Sequence, residues 1–111
     1  MGKNLGNLGH FLRDAQKQYQ EMQRKMARLQ EDLAQRVVEG TAGGGMVTAY
    51  VNGKRELVKI KIAKEVVNPD DVEMLEDLVT AAVTAGTKKA QEMYEEEIAK
   101  LTGGLRVPGL L

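Results

Sequence analysis

Three consecutive glycines, Gly43–Gly45, with Lys54 within ten residues, have the raw composition of a phosphate-binding loop. Such a loop turns a strand into a helix and sets a lysine and a hydroxyl residue at the helix start, where they meet phosphates and a metal. Here the glycines lead instead into Met46-Val47-Thr48-Ala49-Tyr50-Val51, a β-prone alternating run, followed by Asn52-Gly53, a pair suited to the positive φ values of a tight hairpin turn. The stretch reads as the entrance to a hairpin. Other chemistries are thinly supplied. The chain has no cysteine, no serine and one histidine, His10, so nucleophile–base pairs and disulfides cannot be built from it and metal ligation by His10 lacks partners at ligand spacing. The carboxylates Glu73, Glu76 and Asp77, and later Glu92, Glu95, Glu96 and Glu97, are dense but lack the glycine-containing loop of a calcium site, and acidic runs on helices are ordinarily solvated faces. Tyr19, Tyr50 and Tyr94 are scattered and offer no paired platform for stacking bases. The sequence therefore predicts no enzyme, no cofactor, no metal and no small-molecule substrate.

The cations are more informative. Formal net charge is zero, yet residues 1–64 hold twelve Lys or Arg against six Asp or Glu, and residues 65–111 hold four against ten. Two readings follow: the halves complement each other within a fold or dimer, or the first half carries a basic binding surface. Arg13, Lys17, Arg24, Lys25 and Arg28 decorate one segment, and Lys88 and Lys89 interrupt later acidity. A rod with cations along its side can lie on phosphates without reading bases. The bland counterpart is a helix surface with i,i+4 pairs such as Glu21–Lys25 and Arg28–Asp32.

These side chains need elements to hold them. Leu12, Ala15, Tyr19, Met22, Met26, Leu29 and Leu33 recur at alternating spacings of three and four, a heptad seam on a first helix uninterrupted by glycine or proline. From Leu12 to Leu33 that helix is roughly 33 Å long, too long to be covered by a small sheet, so part of the seam must meet another helix. Arg36 to Thr41 reads as a first strand. Val47, Ala49 and Val51, then Val58, Ile60 and Ile62, form the buried faces of two more, with Lys59 and Lys61 on the wet side. Asn68 as N-cap, Pro69 at the first helical position, and Asp70 and Asp71 behind them start a last helix that runs to Leu101 or Thr102, with Gly103-Gly104 as its stop. Gly86 in mid-helix costs about 1 kcal/mol relative to Ala and signals close packing or a bend there. The expectation is a single α+β domain over residues 1–111, ordered α-β-β-β-α, with two long helices, a small antiparallel three-stranded sheet, and flexible ends at 1–8 and 104–111. One Phe, three Tyr and no Trp give one chain a modest core, which favours a partner. No signal-like or membrane-spanning run is present, so the expected location is the cytoplasm, with no membrane partner.

Four separated segments, RDAQKQYQEMQRKMARLQEDLA, AGGGMVTAYVNGKRELVKIKI, DDVEMLEDLVTAAV and KLTGGLRVPGL, in this order and over nearly the whole chain, resemble the YbaB/EbfC family of bacterial nucleoid-associated proteins. The resemblance implies a homodimer with the sheets as a central body and the long helices projecting as tweezer-like arms. It also implies binding to double-stranded DNA with low sequence specificity, association with the nucleoid, and an influence on expression or chromosome organisation. The family supplies no sharp contact motif. Arg13, Lys17, Arg24, Lys25, Arg28, Lys88 and Lys89 are accordingly expected at DNA on electrostatic grounds, and the seam is expected at the dimer contact. The rival reading is a helical adaptor that uses the Met-rich seam or the apolar C-terminal tail to bind proteins without touching DNA.

Overall fold

The computed structural model describes residues 2–103, with side chains from residue 7 onward. The chain runs α1 (Gly2–Gln35), β1 (Val37–Ala42), β2 (Val47–Asn52), β3 (Leu57–Ile62), a 3-10 turn (Lys64–Val66) and α2 (Val72–Leu101). The expected α+β order is therefore present. α1 starts at Gly2, before the seam begins; the expected flexibility of 104–111 falls outside the described residues.

The sheet is an antiparallel meander in the order β1-β2-β3. Gly43, Gly44 and Gly45 all take positive φ in the β1–β2 turn, a left-handed run that residues with a Cβ rarely adopt, which explains the triplet without any phosphate. Val47, Ala49 and Val51 are fully buried as the alternation requires, and α2 lies across them, with Ala82 completing the same cluster and Val66 of the 3-10 turn closing one side. The closest approach is backbone to backbone. Gly40 of β1 faces Gly86 of α2 so tightly that a Cβ on Gly40 would overlap the Gly86 nitrogen and the Ala82 carbonyl oxygen. The mid-helix glycine is thus explained by close packing onto the sheet.

Three expectations are corrected. β3 is an edge strand that α2 covers poorly: Ile60 is half-buried against the core, but Val58 is 57% and Ile62 38% exposed. Val58 is the unpaired residue at a register shift, since Tyr50 pairs with Lys59 and Val51 with Leu57, and for Ile62 alternation does not say how far a covering helix reaches. Second, Asn52-Gly53 is not a two-residue turn. Arg55 N–H donates to Asn52 O and Asn52 N–H to Glu56 O, both at 2.9 Å, and the left-handed residue is Arg55, with φ 66°. The nearly buried Asn52 accepts at Oδ1 from the Lys54 and Glu56 amides and donates from Nδ2 to Glu56 Oε1, so its polar atoms organise the longer loop. Gly53 serves the neighbouring helix instead: its N–H donates to Leu33 O (2.8 Å) and Arg36 O (2.9 Å), satisfying carbonyls at the end of α1. Third, the N-cap of α2 is Asp71, whose Oδ1 accepts from Met74 N–H at 3.2 Å, and not Asn68. Asn68 Oδ1 accepts from Asp70 N–H and Asn68 O from Asp71 N–H, so Asn68-Pro69-Asp70-Asp71 is a turn and the helix starts one turn later. At the other end Gly103, with φ 66°, is the expected stop.

A second, smaller core joins α1 to the rest. Leu33, Tyr94 and Ile98 are buried together, with Met26, Leu29 and Met93 against them. The joint is fastened by Glu97, whose carboxylate accepts from Arg36 Nη1 and Lys100 Nζ, each at 3.2 Å, while Arg36 also approaches Asp32 at 3.6 Å. Arg36 foremost, and then Lys100, holds the Glu97 carboxyl below its ordinary value near 4.5. A carboxyl with a depressed folded pKa stabilises the fold at pH above its unfolded pKa and loses that contribution as pH falls through the folded value. Urea unfolding at a series of pH values should therefore show Glu97→Gln less stable than the parent at neutral pH by at most about 1 kcal/mol, with the gap closing below pH 4.5.

Candidate nucleic-acid interface

α1 is amphipathic, but among the described residues it packs against the rest of the chain near its C-terminus. Of the seam, Leu33 is buried and Met26 and Leu29 are half-buried in the joint, whereas Leu12 (57%), Tyr19 (65%) and Met22 (39%) are exposed, as is Ala15. Leu8 and Phe11 extend the exposed apolar surface toward the N-terminus. The helix thus projects as an arm from an elongated molecule of 83 × 20 × 17 Å.

The cations are not randomly placed on that arm. At 3.6 residues per turn, Arg13, Lys17, Arg24 and Arg28 fall within an arc of roughly 60°, centred about 180° from the middle of the seam. Lys25 lies about 90° away from that stripe, on a flank. All five are exposed, and among the described residues none makes an ion pair within 4 Å. The neutralising pairs that the sequence suggested do not form: Asp32 turns to Arg36 and not to Arg28, and Glu21 makes no bridge to Lys25. Tyr19 stays on the seam side, where its hydroxyl accepts from Gln23 Nε2 at 2.7 Å.

Lys88 and Lys89 are exposed but belong to another place. They lie in α2 beside the Gly86 contact with the sheet, some ten residues, or about 15 Å, before the Ile98 joint from which the arm leaves. The structure brings together four of the seven expected cations, leaves Lys25 on the flank, and sets Lys88 and Lys89 apart over the body. His10 is exposed and, among the described residues, approaches Asp14 at 3.9 Å. Among the described residues, no three or more His, Asp or Glu side chains gather in a position to hold a metal ion, and no helix is long and apolar enough to cross a membrane. The concavity bounded by Asp71, Glu73, Met74, Asp77 and Leu78 has three carboxylates on its rim and repels a polyanion.

Sequence reasoning passed over Arg55. Its guanidinium stacks on the Tyr94 ring, 4.6 Å from the centroid, and donates from Nη1 to Gln91 Oε1 at 2.7 Å, tying the β2–β3 loop to α2 beside the arm joint. No local pattern announces a contact across 36 residues.

Known proteins resemble the chain over most of its length. A nucleoid-associated protein of Syntrophobacter fumaroxidans is 52% identical over 93 residues, covering 84% of each chain. Another, from Caldanaerobacter subterraneus subsp. tengcongensis, is 56% identical over 94 residues, covering 85% of each. The crystal structure of an uncharacterized protein from Helicobacter pylori superposes with a TM-score of 0.72 at 24% identity, over 78% of this chain and 91% of that one, which speaks to the fold. The YbaB/EbfC DNA-binding family, which is not a family of enzymes, matches residues 9–105. With most of its arm, its whole meander and its second helix inside that match, the chain belongs to the YbaB/EbfC DNA-binding family.

Proposed function

We propose that this protein is a nucleoid-associated, cytoplasmic homodimer that binds double-stranded DNA through phosphate contacts with little sequence preference, and through such binding influences nucleoid organisation and gene expression. The observation that carries the reading is the unpaired stripe of Arg13, Lys17, Arg24 and Arg28 on a projecting helix, diametrically opposite its apolar seam. Lys25, Lys88 and Lys89 act as flanking cations that raise the local potential. Sequence tolerance follows from the side-chain inventory: no aromatic stacking pair accompanies the stripe, and a row of cations sees phosphates that every duplex presents. The relatives' designation as nucleoid-associated supports the same location for this chain.

What one chain leaves uncovered supports dimerisation. Leu12, Ala15, Tyr19 and Met22 on the arm, and Val58 and Ile62 on β3, form apolar surfaces that a second copy would bury. Two such arms side by side, seams inward and cations outward, make the tweezer-like pair. In light scattering, Tyr19→Glu/Met22→Glu should weaken self-association at least about a hundredfold, given about 1.5–3 kcal/mol per large apolar side chain removed from contact. An unchanged dimer would remove the seam from the interface.

Fluorescence anisotropy of the purified protein with two unrelated labelled duplexes, across salt concentrations, tests the DNA reading. Similar, salt-steep binding to both supports it. Absence of binding even at low salt moves the assignment to the adaptor alternative, whose supporting observation is the same exposed Met-bearing seam.

A further inference from the structure

Among the described residues, Arg55 is the one non-glycine residue with a left-handed backbone, φ 66°. A side chain with a Cβ is disfavoured in that region, so on backbone grounds alone a glycine would fit the loop better. The arginine side chain supplies what a glycine could not. Its guanidinium stacks on the Tyr94 ring, 4.6 Å from the centroid, and Nη1 donates to Gln91 Oε1 at 2.7 Å. The charged head is thereby held over a single turn of α2.

The loop that carries Arg55 also grips α1. Gly53 N–H donates to Leu33 O and Arg36 O, and the approach is so close that a Cβ on Gly53 would sit 2.7 Å from Leu33 O. Between these two attachments the loop is stiff: Asn52 Oδ1 accepts from the Lys54 and Glu56 amides, and Arg55 N–H donates to Asn52 O. Tyr94, beneath the guanidinium, shares a buried core with Leu33 and Ile98. A closed circuit results, from α2 through Arg55 and the loop to Gly53, on to the last turn of α1, and back through Leu33 to Tyr94.

This circuit lies at the fulcrum of the arm. Leu33 and Arg13 are twenty residues apart, roughly 30 Å of helix, so a rotation of about 10° at the joint moves Arg13 by about 5 Å. Successive phosphates of one strand advance by about 3.4 Å along the duplex axis. An arm free to swing farther than that must be stilled before its cations fall in step with phosphates.

We infer that Arg55 is a positioning residue for DNA binding: clasped on Tyr94 and Gln91, it fixes the direction in which the arm leaves the body, without itself touching DNA. The inference rests on the DNA-binding reading above. Bound DNA meets the same cations with or without the clasp, but an unclasped arm loses more freedom on binding.

Two variants test it. Arg55→Gly removes the clasp and gives the loop the residue its backbone favours, so its melting temperature should stay within about 4 °C of the parent's. Gln91→Ala removes the acceptor and leaves the charge unchanged. Because the chain has no cysteine, Gln16→Cys/Thr84→Cys, at two exposed positions, takes one spin label on the arm and one on the body. Diluted into unlabelled protein, the labelled chain should give a narrow distance distribution, which both clasp variants broaden by several ångströms. Anisotropy-measured affinity for one duplex should fall about fivefold in Arg55→Gly, and by less in Gln91→Ala, with the slope of log K against log salt unchanged in both. An unchanged distance distribution in Arg55→Gly would overturn the proposal, as would unchanged affinity in that variant of a DNA-binding parent. A slope shallower by about 0.9 would also overturn it, because Arg55 would then be a phosphate contact in its own right. Gln91→Ala matching the parent in both distance and affinity would do the same, leaving Arg55 a distant charge. A parent protein that binds no duplex at low salt overturns the DNA reading and the positioning role with it, whatever the spin labels report about the clasp.

Discussion

Gly40→Ala is expected to lower the melting temperature by about 12 °C, and Gly86→Ala, its partner in the same contact, by a few degrees at most. The two glycines face each other, yet what an added Cβ meets differs. At Gly40 it strikes the nitrogen and Cα of Gly86 and the carbonyl oxygen of Ala82, all helix backbone, so α2 must lift off the sheet. Lifting it opens the contact of Ala82 with Val47 and Ala49 in the core. Such overpacking against atoms that cannot rotate away costs about 3 kcal/mol, near the upper end of the usual range, and each kcal/mol moves the melting point of a domain of this size by about 4 °C. At Gly86 the nearest atom is Val51 Cγ2 at 2.9 Å, a methyl group, with Gly40 N at 3.3 Å and Ala49 O at 3.4 Å. That shift is small and is offset by the roughly 1 kcal/mol an alanine gains over glycine inside a helix. Thermal unfolding followed by circular dichroism reads both variants; equal melting points would show that the backbone contact relaxes without cost.

Removing the arm stripe should have the largest effect on binding. If Arg13, Lys17, Arg24 and Arg28 neutralise about four phosphates, log K for the parent falls with log salt at a slope near −3.6, so the electrostatic part of the affinity spans between three and four orders of magnitude from 1 M to 0.1 M salt. The quadruple alanine variant should lose about three of these orders at 0.1 M, equally on unrelated duplexes, with its slope reduced toward zero. Lys25→Ala is the internal control. It removes the same charge from the same helix but from a flank about 90° off the stripe, and its effect should be that of one distant cation, no more than severalfold. A Lys25 effect as large as that of Arg24 or Arg28 would mean that total charge, and not the stripe, drives binding. Since these residues avoid the seam, the quadruple variant should keep the parent's mass.

What the sequence disclosed, and what it hid, divides along the range of the interactions concerned. Periodicities of 3.5 and 2 are local, and they located α1, the strands and the buried face of β2 from Leu12 through Val51. The helix stop at Gly103 is equally local, since left-handed φ and glycine go together. Misreadings arose where a local motif had two uses. Asn52-Gly53 has the residues of a tight turn, but Asn52 folds its side chain over a longer loop and Gly53 caps α1, a task set by Leu33 and Arg36 from outside the hairpin. Asn68-Pro69 likewise serves equally well as a helix start or as the turn before one, and Asp71, three residues on, wins the cap. The exposure of Val58 and Ile62 could not be read, because it depends on a register shift that leaves Val58 unpaired and on how far α2 extends across the sheet. For the interface, the cations were visible as residue types, but only an unbroken helical phase over sixteen residues separates Lys25 from the stripe, and only the chain's path separates Lys88 and Lys89 from the arm.

The arm also sets a pattern for amide hydrogen exchange. α1 has 34 residues in one hydrogen-bonded ladder, but among the described residues its core contacts begin at Met26. An isolated helical segment is marginal in water, and each unsupported turn opens at a cost close to the local helix–coil balance. In a single chain, protection factors should climb stepwise toward Leu33, with amides near Arg13 exchanging at nearly peptide rates and those near Leu29 opening only with the joint. Association along the seam would flatten that gradient at its weak end, and DNA lying on the stripe would flatten it further. The slope of protection along one helix thus becomes a gauge of how many partners the arm has engaged.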